Sequence, residues 1–146
     1  RCAEALQRWE EALVYAAEPR DRAPILEQMA QVLLLMNRDF DAVRVAERAA
    51  EAWPSWHCAH LTLGRALLNF GELERAVETL RRAEQLAPPG EGDEAQEEAR
   101  DAERIWEAAQ ARASGSTSRE VRINGRVVQS RFWETAMRVT YDEPRP

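Results

Sequence analysis

His and Cys, the residue types typical of structural zinc sites, form one cluster in this sequence, at His57, Cys58 and His60. On a helix, His57 and His60 share a face, whereas Cys58 points about 100° away from His57. A structural zinc site takes four ligands, and no fourth ligand lies near in sequence. We therefore expect ordinary packing residues here, with no metal ion and no cofactor.

Catalytic motifs are also missing from the sequence. It contains no Gly-rich phosphate loop, no nucleophile elbow and no His-Glu helix motif. Paired carboxylates are frequent only because 26 Asp and Glu residues give a net charge of −6. That charge argues against a nucleic-acid partner, and the longest apolar runs are too short to span a membrane. We predict that the chain is not an enzyme and that its partners are proteins.

An internal repeat organises the first half of the chain. An offset of 34, as from Ala42 to Ala76, aligns small residues with small ones, apolar residues with apolar ones and a proline with a proline. The matched pairs include Ala42 and Ala76, Ala49 and Ala83, Met29 and Leu63, Leu33 and Leu67, and Pro54 and Pro88. Two unrelated amphipathic helices would share a period of 3.6 but not this set of positions.

Each repeat predicts a pair of helices. The predicted helices are 22–36 and 40–52 in one unit, and 57–69 and 73–86 in the next. Asp21 is the expected N-cap of the first, with Pro24 in its first turn. Asn37 is expected to end the helix at 22–36. Gly71, which adopts the left-handed conformation readily, is expected to end the helix at 57–69.

Residues 2–14 predict one more helix, which is equivalent to the second helix of a repeat unit. Its residues Ala5, Trp9 and Ala12 correspond to residues 42, 46 and 49 at an offset of 37. The connection near Glu18–Arg20 is therefore expected to be three residues longer than the repeat requires. The first helix of this unit is expected upstream of Arg1, or is absent.

These units resemble the tetratricopeptide repeat family. The motif residues of the third unit stand at the family's spacing: Leu63, Gly64, Leu67, Ala76, Leu80, Ala83 and Pro88. The resemblance covers residues 3–88. It implies an all-α superhelix of about two and a half helix pairs, whose first helices line a concave groove that binds proteins.

Residues 93–113 predict an acidic helix that caps the array, since a terminal repeat must cover its apolar face. Asp93 and Gln96 form a capping-box pattern at its start. Its stripe toward the array is Ala95, Ala99, Ala102, Trp106 and Ala109. The predicted domains are thus repeats over 1–88, a capping helix over 89–113, and a linker and tail over 114–146.

The tail beyond the linker has a different pattern. Two alternating β-branched runs flank Asn124-Gly125, which predicts a β-hairpin. We expect the tail either to pack on the repeats or to dock on another chain. Its candidate docking residues are Arg122, Asn124, Gly125, Arg126, Phe132, Trp133 and Tyr141.

The predicted groove mixes polar and apolar residues, which suits a helix or an extended peptide. It comprises Glu27, Gln28, Gln31, Leu34, Leu61, Arg65, Leu68 and Asn69. Only Arg65 could bind a carboxylate there, and the negative charge of Glu27 would repel that carboxylate. We therefore predict that the groove does not bind the C-terminal carboxylates of chaperones.

Two hypotheses for the function follow. The first is a scaffold or adaptor, with the cytoplasm as the expected location. The second is a permanent structural subunit of a larger assembly, such as a ciliary or ribosomal particle. Nuclear, ciliary and organellar locations stay open.

Overall fold

The computed structural model describes residues 1–115 and the backbone of two later strands, 120–123 and 126–129. Residues as far as Trp106 form one compact unit, and Glu107–Pro146 form a second. The helices are α1 (Cys2–Tyr15), α2 (Pro19–Leu35), α3 (Asp39–Ala52), α4 (His57–Phe70), α5 (Leu73–Leu86) and α6 (Asp93–Gly115). The repeat region is therefore all-helical, as its sequence predicts. No helix among the described residues is both long and apolar enough to cross a membrane.

Two hydrophobic clusters hold the helices together. The first joins α2, α3 and α4 around the fully buried Ala46 and Leu67. The second joins α4 and α5 to α6 around Leu80, which is also fully buried. Ala95, Ala99 and Ala102 of α6 belong to the second cluster, and Trp106 packs against it. The predicted apolar stripe of the capping helix thus lies against the last repeat as far as Trp106.

At Gly64 helix α4 lies close to Leu80 of α5. A Cβ atom at this position would lie 2.5 Å from Cγ of Leu80 and 2.6 Å from its Cδ2. Both distances are well inside van der Waals contact. The glycine of the repeat is therefore required by packing, because a helix interior otherwise favours alanine.

The first helix of each unit ends in the same way. Asn37 has φ 55° and Gly71 has φ 95°, so both residues are left-handed. The amide of the next residue bonds back to the carbonyl of Leu33 at 2.9 Å in one unit and of Leu67 at 3.0 Å in the other. These are matching Schellman turns at equivalent positions of the two units. The predicted stops at Asn37 and Gly71 are confirmed.

The two turns should differ in their tolerance of substitution. Gly71→Ala puts a Cβ into the left-handed region, and we expect the free energy of unfolding to fall by about 1 kcal/mol. Asn37→Gly should raise it by roughly 0.5 kcal/mol, since glycine adopts this conformation without strain. Urea unfolding followed by circular dichroism measures both. A lower free energy of unfolding for Asn37→Gly would contradict the left-handed conformation assigned to Asn37.

The start of α2 differs from the prediction. The helix begins at Pro19, with Glu18 as its cap residue, so Asp21 lies within the first turn and is not the N-cap. Pro19 favours this start because its missing N–H and fixed φ suit the first helical position. Pro24 is consequently inside the helix. The three additional residues lengthen α2 to 17 residues against 14 in α4, and do not lengthen the loop.

The start of α6 also differs in detail. The Gln96 side chain does not close a capping box with Asp93. It donates to Oε1 of Glu84 in α5 at 2.9 Å. In a capping box the side-chain oxygen of Gln96 would accept a hydrogen bond from the backbone N–H of Asp93, whereas the packing of α6 beside α5 directs this side chain to Glu84.

In the second compact unit, strand β1 (Glu120–Ile123) and strand β2 (Arg126–Gln129) pair antiparallel, with Val121 opposite Val128. Asn124-Gly125, the predicted turn, lies outside the described residues, as do Phe132, Trp133 and Tyr141. The hairpin arm as a docking element therefore stays a prediction.

Candidate functional site

The predicted groove lies along the first helices, α2 and α4, which pack against each other. Its eight residues fall into three classes of exposure. Glu27 and Leu61 are buried; Leu34, Arg65 and Leu68 are half-buried; Gln28, Gln31 and Asn69 are exposed. Leu61 belongs to the core cluster with α5 and α6. Sequence reasoning thus overestimated the open surface, because it did not show how close α6 lies.

Glu27 forms the floor of this surface rather than an open contact. It is only 7% exposed, and its Oε1 accepts hydrogen bonds from Thr62 Oγ1 of α4 and from Gln31 Nε2, both at 2.5 Å. Thr62 is itself 1% exposed. A buried carboxylate needs such partners, because desolvation without them is costly. Glu27 therefore joins the two first helices, a role that the sequence pattern did not reveal.

Arg65 is occupied by the capping helix. Its Nε donates to both carboxylate oxygens of Glu98, at 2.9 and 3.0 Å, and its Nη2 donates to Glu98 and to Glu94. The hydrogen bonds to Glu98 are the main cause of an Arg65 pKa above its usual range. The one groove cation that suited a partner carboxylate is thus already neutralised. That the groove does not clamp C-terminal carboxylates stays a prediction.

Removing the Arg65–Glu98 contact should loosen α6. The two side chains are 33% and 31% exposed. Because solvent screens a partly exposed pair, we place the loss for Glu98→Gln at about 1 to 2 kcal/mol, toward the lower end of the values for hydrogen bonds to charged groups. Hydrogen exchange of amides 95–102 should accelerate correspondingly. Glu97→Gln is the matched control, since Glu97 is exposed on the same helix. Equal exchange rates in both variants would show that the ion pair does not hold α6.

The His57–His60 segment does not converge on a metal site. His60 Nε2 lies 2.8 Å from the carbonyl oxygen of Pro54, while His57 Nε2 lies 3.4 Å from Sγ of Cys58 and 3.8 Å from Glu91. Among the described residues no group of three ligands is close enough to hold a metal ion. Burial, with the nearby charges of Glu27 and Glu91, raises the pKa of the Cys58 thiol. A raised thiol pKa disfavours the nucleophilic thiolate.

Aromatic side chains form two pairs that the sequence did not predict in detail, the half-buried Trp53 and Trp56 and the exposed Phe40 and Phe70. Trp53 and Trp56 stack with ring centroids 5.4 Å apart, and the Arg20 guanidinium lies 5.4 Å from the Trp53 ring. Phe40 lies in the first turn of α3 and Phe70 is the last residue of α4, and their ring centroids are 5.7 Å apart. Those two Phe side chains are 56% and 44% exposed. Their spacing in sequence differs from the repeat offset, so the internal comparison could not pair them.

Known proteins show the same resemblance that the motif implies. No protein-family model matches the chain. It is 38% identical over 92 residues to Tetratricopeptide repeat protein 33 of Homo sapiens and of Mus musculus, an alignment that covers 60% of this chain and 32% of each relative. The protein of the same name from Xenopus laevis is 38% identical over 85 residues. The predicted resemblance to tetratricopeptide repeat proteins is confirmed, and this chain spans about a third of the length of those relatives.

Proposed function

We propose that the chain is a non-catalytic scaffold that binds a segment of a partner protein along α2 and α4. The observation that carries this proposal is the surface that these helices leave uncovered. On these two helices Gln28 and Asn69 are exposed, and Leu34 and Leu68 are half-buried. Amides that bond to a backbone, next to apolar contact area, suit an extended peptide or one face of a helix.

The charges of the same region favour a partner segment without a critical carboxylate. Arg65 is engaged by Glu94 and Glu98, and Glu27 is engaged by Thr62. Neither group is free to form a strong ion pair with an incoming chain unless an existing pair breaks. Recognition therefore depends on amides and leucines, which predicts weak dependence of binding on salt.

Partner capture with surface variants tests the proposal. Gln28→Arg and Asn69→Arg place long charged side chains on the proposed surface, and captured partners should fall at least tenfold. Gln85→Arg is the matched control, because Gln85 is exposed on the second helix α5. The proposal fails if all three variants capture the same proteins in the same amounts as the original chain.

A second candidate is a structural subunit held permanently in a larger assembly, and the exposed apolar side chains favour it. Val14 and Tyr15, which are adjacent at the end of α1, are 80% and 87% exposed. Large exposed apolar groups that lie near each other mark interaction surfaces. In this function the tail, residues 117–146, is a docking arm. Deleting it should then reduce co-sedimentation with the assembly, whereas an unchanged partner set would exclude the arm. We further propose a cytoplasmic location, which imaging of the tagged protein tests.

A further inference from the structure

We propose that a pocket between α1, α2 and α3, the α3 pocket, binds an extended peptide segment that carries one carboxylate and one aliphatic side chain. The pocket has a volume of about 300 Å³, at the lower end of the range for ligand sites. All its walls come from helices that the structure describes, and none of the groove residues of α2 and α4 lines it. The α3 pocket is therefore a binding surface separate from the groove of the proposed function.

The two repeat units differ in charge where this pocket lies. In the second unit Arg75 of α5 forms ion pairs with Glu47 of α3, at 2.8 Å, and with Glu72 of its own turn. The residues 34 positions earlier carry the opposite charges, since Asp41 corresponds to Arg75 and Arg38 to Glu72. The ion pair that joins α3 to α5 therefore has no counterpart of the same kind one unit earlier.

Two carboxylates occupy the equivalent positions of α1 and α3. Glu10 of α1 corresponds to Glu47 at the offset of 37, and the residue across from it is Asp41. Asp41 instead pairs with Arg38 in its own turn, at 2.7 Å. Because no ion pair crosses from Glu10 to Asp41, the space between α1 and α3 stays open as the α3 pocket, which all three residues line.

Two arginines of α3 supply the positive charge that a carboxylate needs. Arg44 and Arg48 line the pocket one helical turn apart, so both guanidinium groups can reach the same ligand. Both residues are exposed, and the ion pairs of the described part of the chain all involve other basic side chains. A guanidinium group binds a carboxylate through two parallel N–H donors.

The charge of the lining favours a ligand with a single negative charge. Three arginines and two acidic residues line the pocket, which leaves one net positive charge. One carboxylate balances that charge. A phosphate group carries close to two negative charges and would be repelled by Glu10 and Asp41.

The floor of the pocket accounts for the aliphatic side chain. Met29 and Leu33 of α2 are 5% and 4% exposed, and Leu6 and Val45 are half-buried beside them. A ligand side chain that covers this floor removes further apolar area from water. In an extended peptide, side chains two positions apart lie on the same side, so a leucine and a glutamate at that spacing reach the floor and the arginines together.

The probe for the α3 pocket is a synthetic peptide, Gly-Ser-Leu-Ser-Glu-Ser-Gly, with acetyl and amide ends so that its glutamate carries the only charge. Its binding to the isotope-labelled 146-residue chain is followed by NMR titration. We expect saturable shifts of the backbone amides 41–48 that exceed those of the equivalent amides 75–82. Glutamine for the glutamate, or serine for the leucine, should weaken binding at least fivefold. Added salt should weaken binding as well, because exposed charges are screened.

Single substitutions test the two arginines. Arg44→Gln and Arg48→Gln should each weaken peptide binding at least fivefold. Arg82→Gln is the matched control, because Arg82 is exposed at the position of α5 that corresponds to Arg48, and the same charge is removed. It should change the affinity less than twofold.

A double substitution tests the origin of the pocket. Arg38→Glu with Asp41→Arg copies the charges of Glu72 and Arg75 and leaves the net charge of the chain unchanged. We expect the new arginine to pair with Glu10, to close the α3 pocket and to abolish peptide binding. Circular dichroism establishes that the variant is folded, and the single glutamine variants decide the question if it is not.

Four results would overturn the inference. These are no saturable shifts with the original peptide, equal weakening by Arg48→Gln and Arg82→Gln, unchanged binding in the folded double variant, or tighter binding of a peptide with phosphoserine in place of glutamate. Binding that requires the leucine, the glutamate and Arg48 supports it. Gln28→Arg and Asn69→Arg should leave peptide binding unchanged, so failure of the groove proposal is distinguishable from failure of this one.

Discussion

Gly64→Val should lower the free energy of unfolding by about 3 kcal/mol, at the upper end of the range for overpacked cores. The added Cβ would lie 2.5 Å from Cγ of Leu80, and that side chain is fully buried. Gly64→Ala should lower the free energy of unfolding less, because the higher helix propensity of alanine offsets about 1 kcal/mol of the packing loss. Urea unfolding of the purified chain measures both losses. A neutral Gly64→Val variant would mean that the two helices do not cross as described.

Gly92→Ala is the control for this substitution, since a Cβ there meets Ala87 at 3.5 Å, an ordinary contact. Its effect should stay within about 0.5 kcal/mol, the usual limit for substitutions away from packed features. The double variant Gly64→Ala with Leu80→Ala tests whether residue 64 must be small because residue 80 is large. It reproduces the Ala30 and Ala46 pair of the preceding unit, so its loss should be smaller than the sum of the two single losses.

Leu67→Ala should lower the free energy of unfolding by roughly 2 to 5 kcal/mol, the range for a leucine removed from a packed core. Leu67 is at 0% exposure in the cluster that α2, α3 and α4 share. Its loss should therefore loosen the contact between the two repeat units as well as α4 itself. In a chain of this size such a loss is a large part of the total stability.

Leu35→Ala is the matched control for Leu67→Ala, because the same side chain is 79% exposed at the end of α2. We expect a change within about 0.5 kcal/mol. Thermal and urea unfolding should rank the two variants in the same order. Equal losses in the two variants would contradict the position of Leu67 in the core.

The repeat could be predicted from sequence because its signal is periodic and local. The constant offset, the small residues at fixed positions and the stops at Asn37 and Gly71 all report constraints within one helix pair. The second helices 40–52 and 73–86 were predicted to within one residue of α3 and α5. The start of α2 was harder to place, since two prolines, Pro19 and Pro24, both suit the first turn of a helix.

The candidate site could be predicted only in part. Periodicity placed Gln28 and Asn69 on the first helices, and both are exposed there. It did not indicate that Glu27 bonds to Thr62 in another helix, or that Arg65 is engaged from α6. These contacts join helices that are distant in sequence. A charged residue on a helix has many potential partners of opposite charge, and the sequence pattern does not distinguish among them.

By itself, the sequence determined the helical repeat, its period, the capping stripe of α6 and the resemblance to tetratricopeptide repeats. Those features follow from backbone geometry and hydrophobic spacing, which act over a few residues. Only the tertiary structure decided which side chains of the groove are open and why Gly64 must be small. Such properties depend on which helix lies opposite, and a side chain is buried or neutralised only when that neighbour is in place.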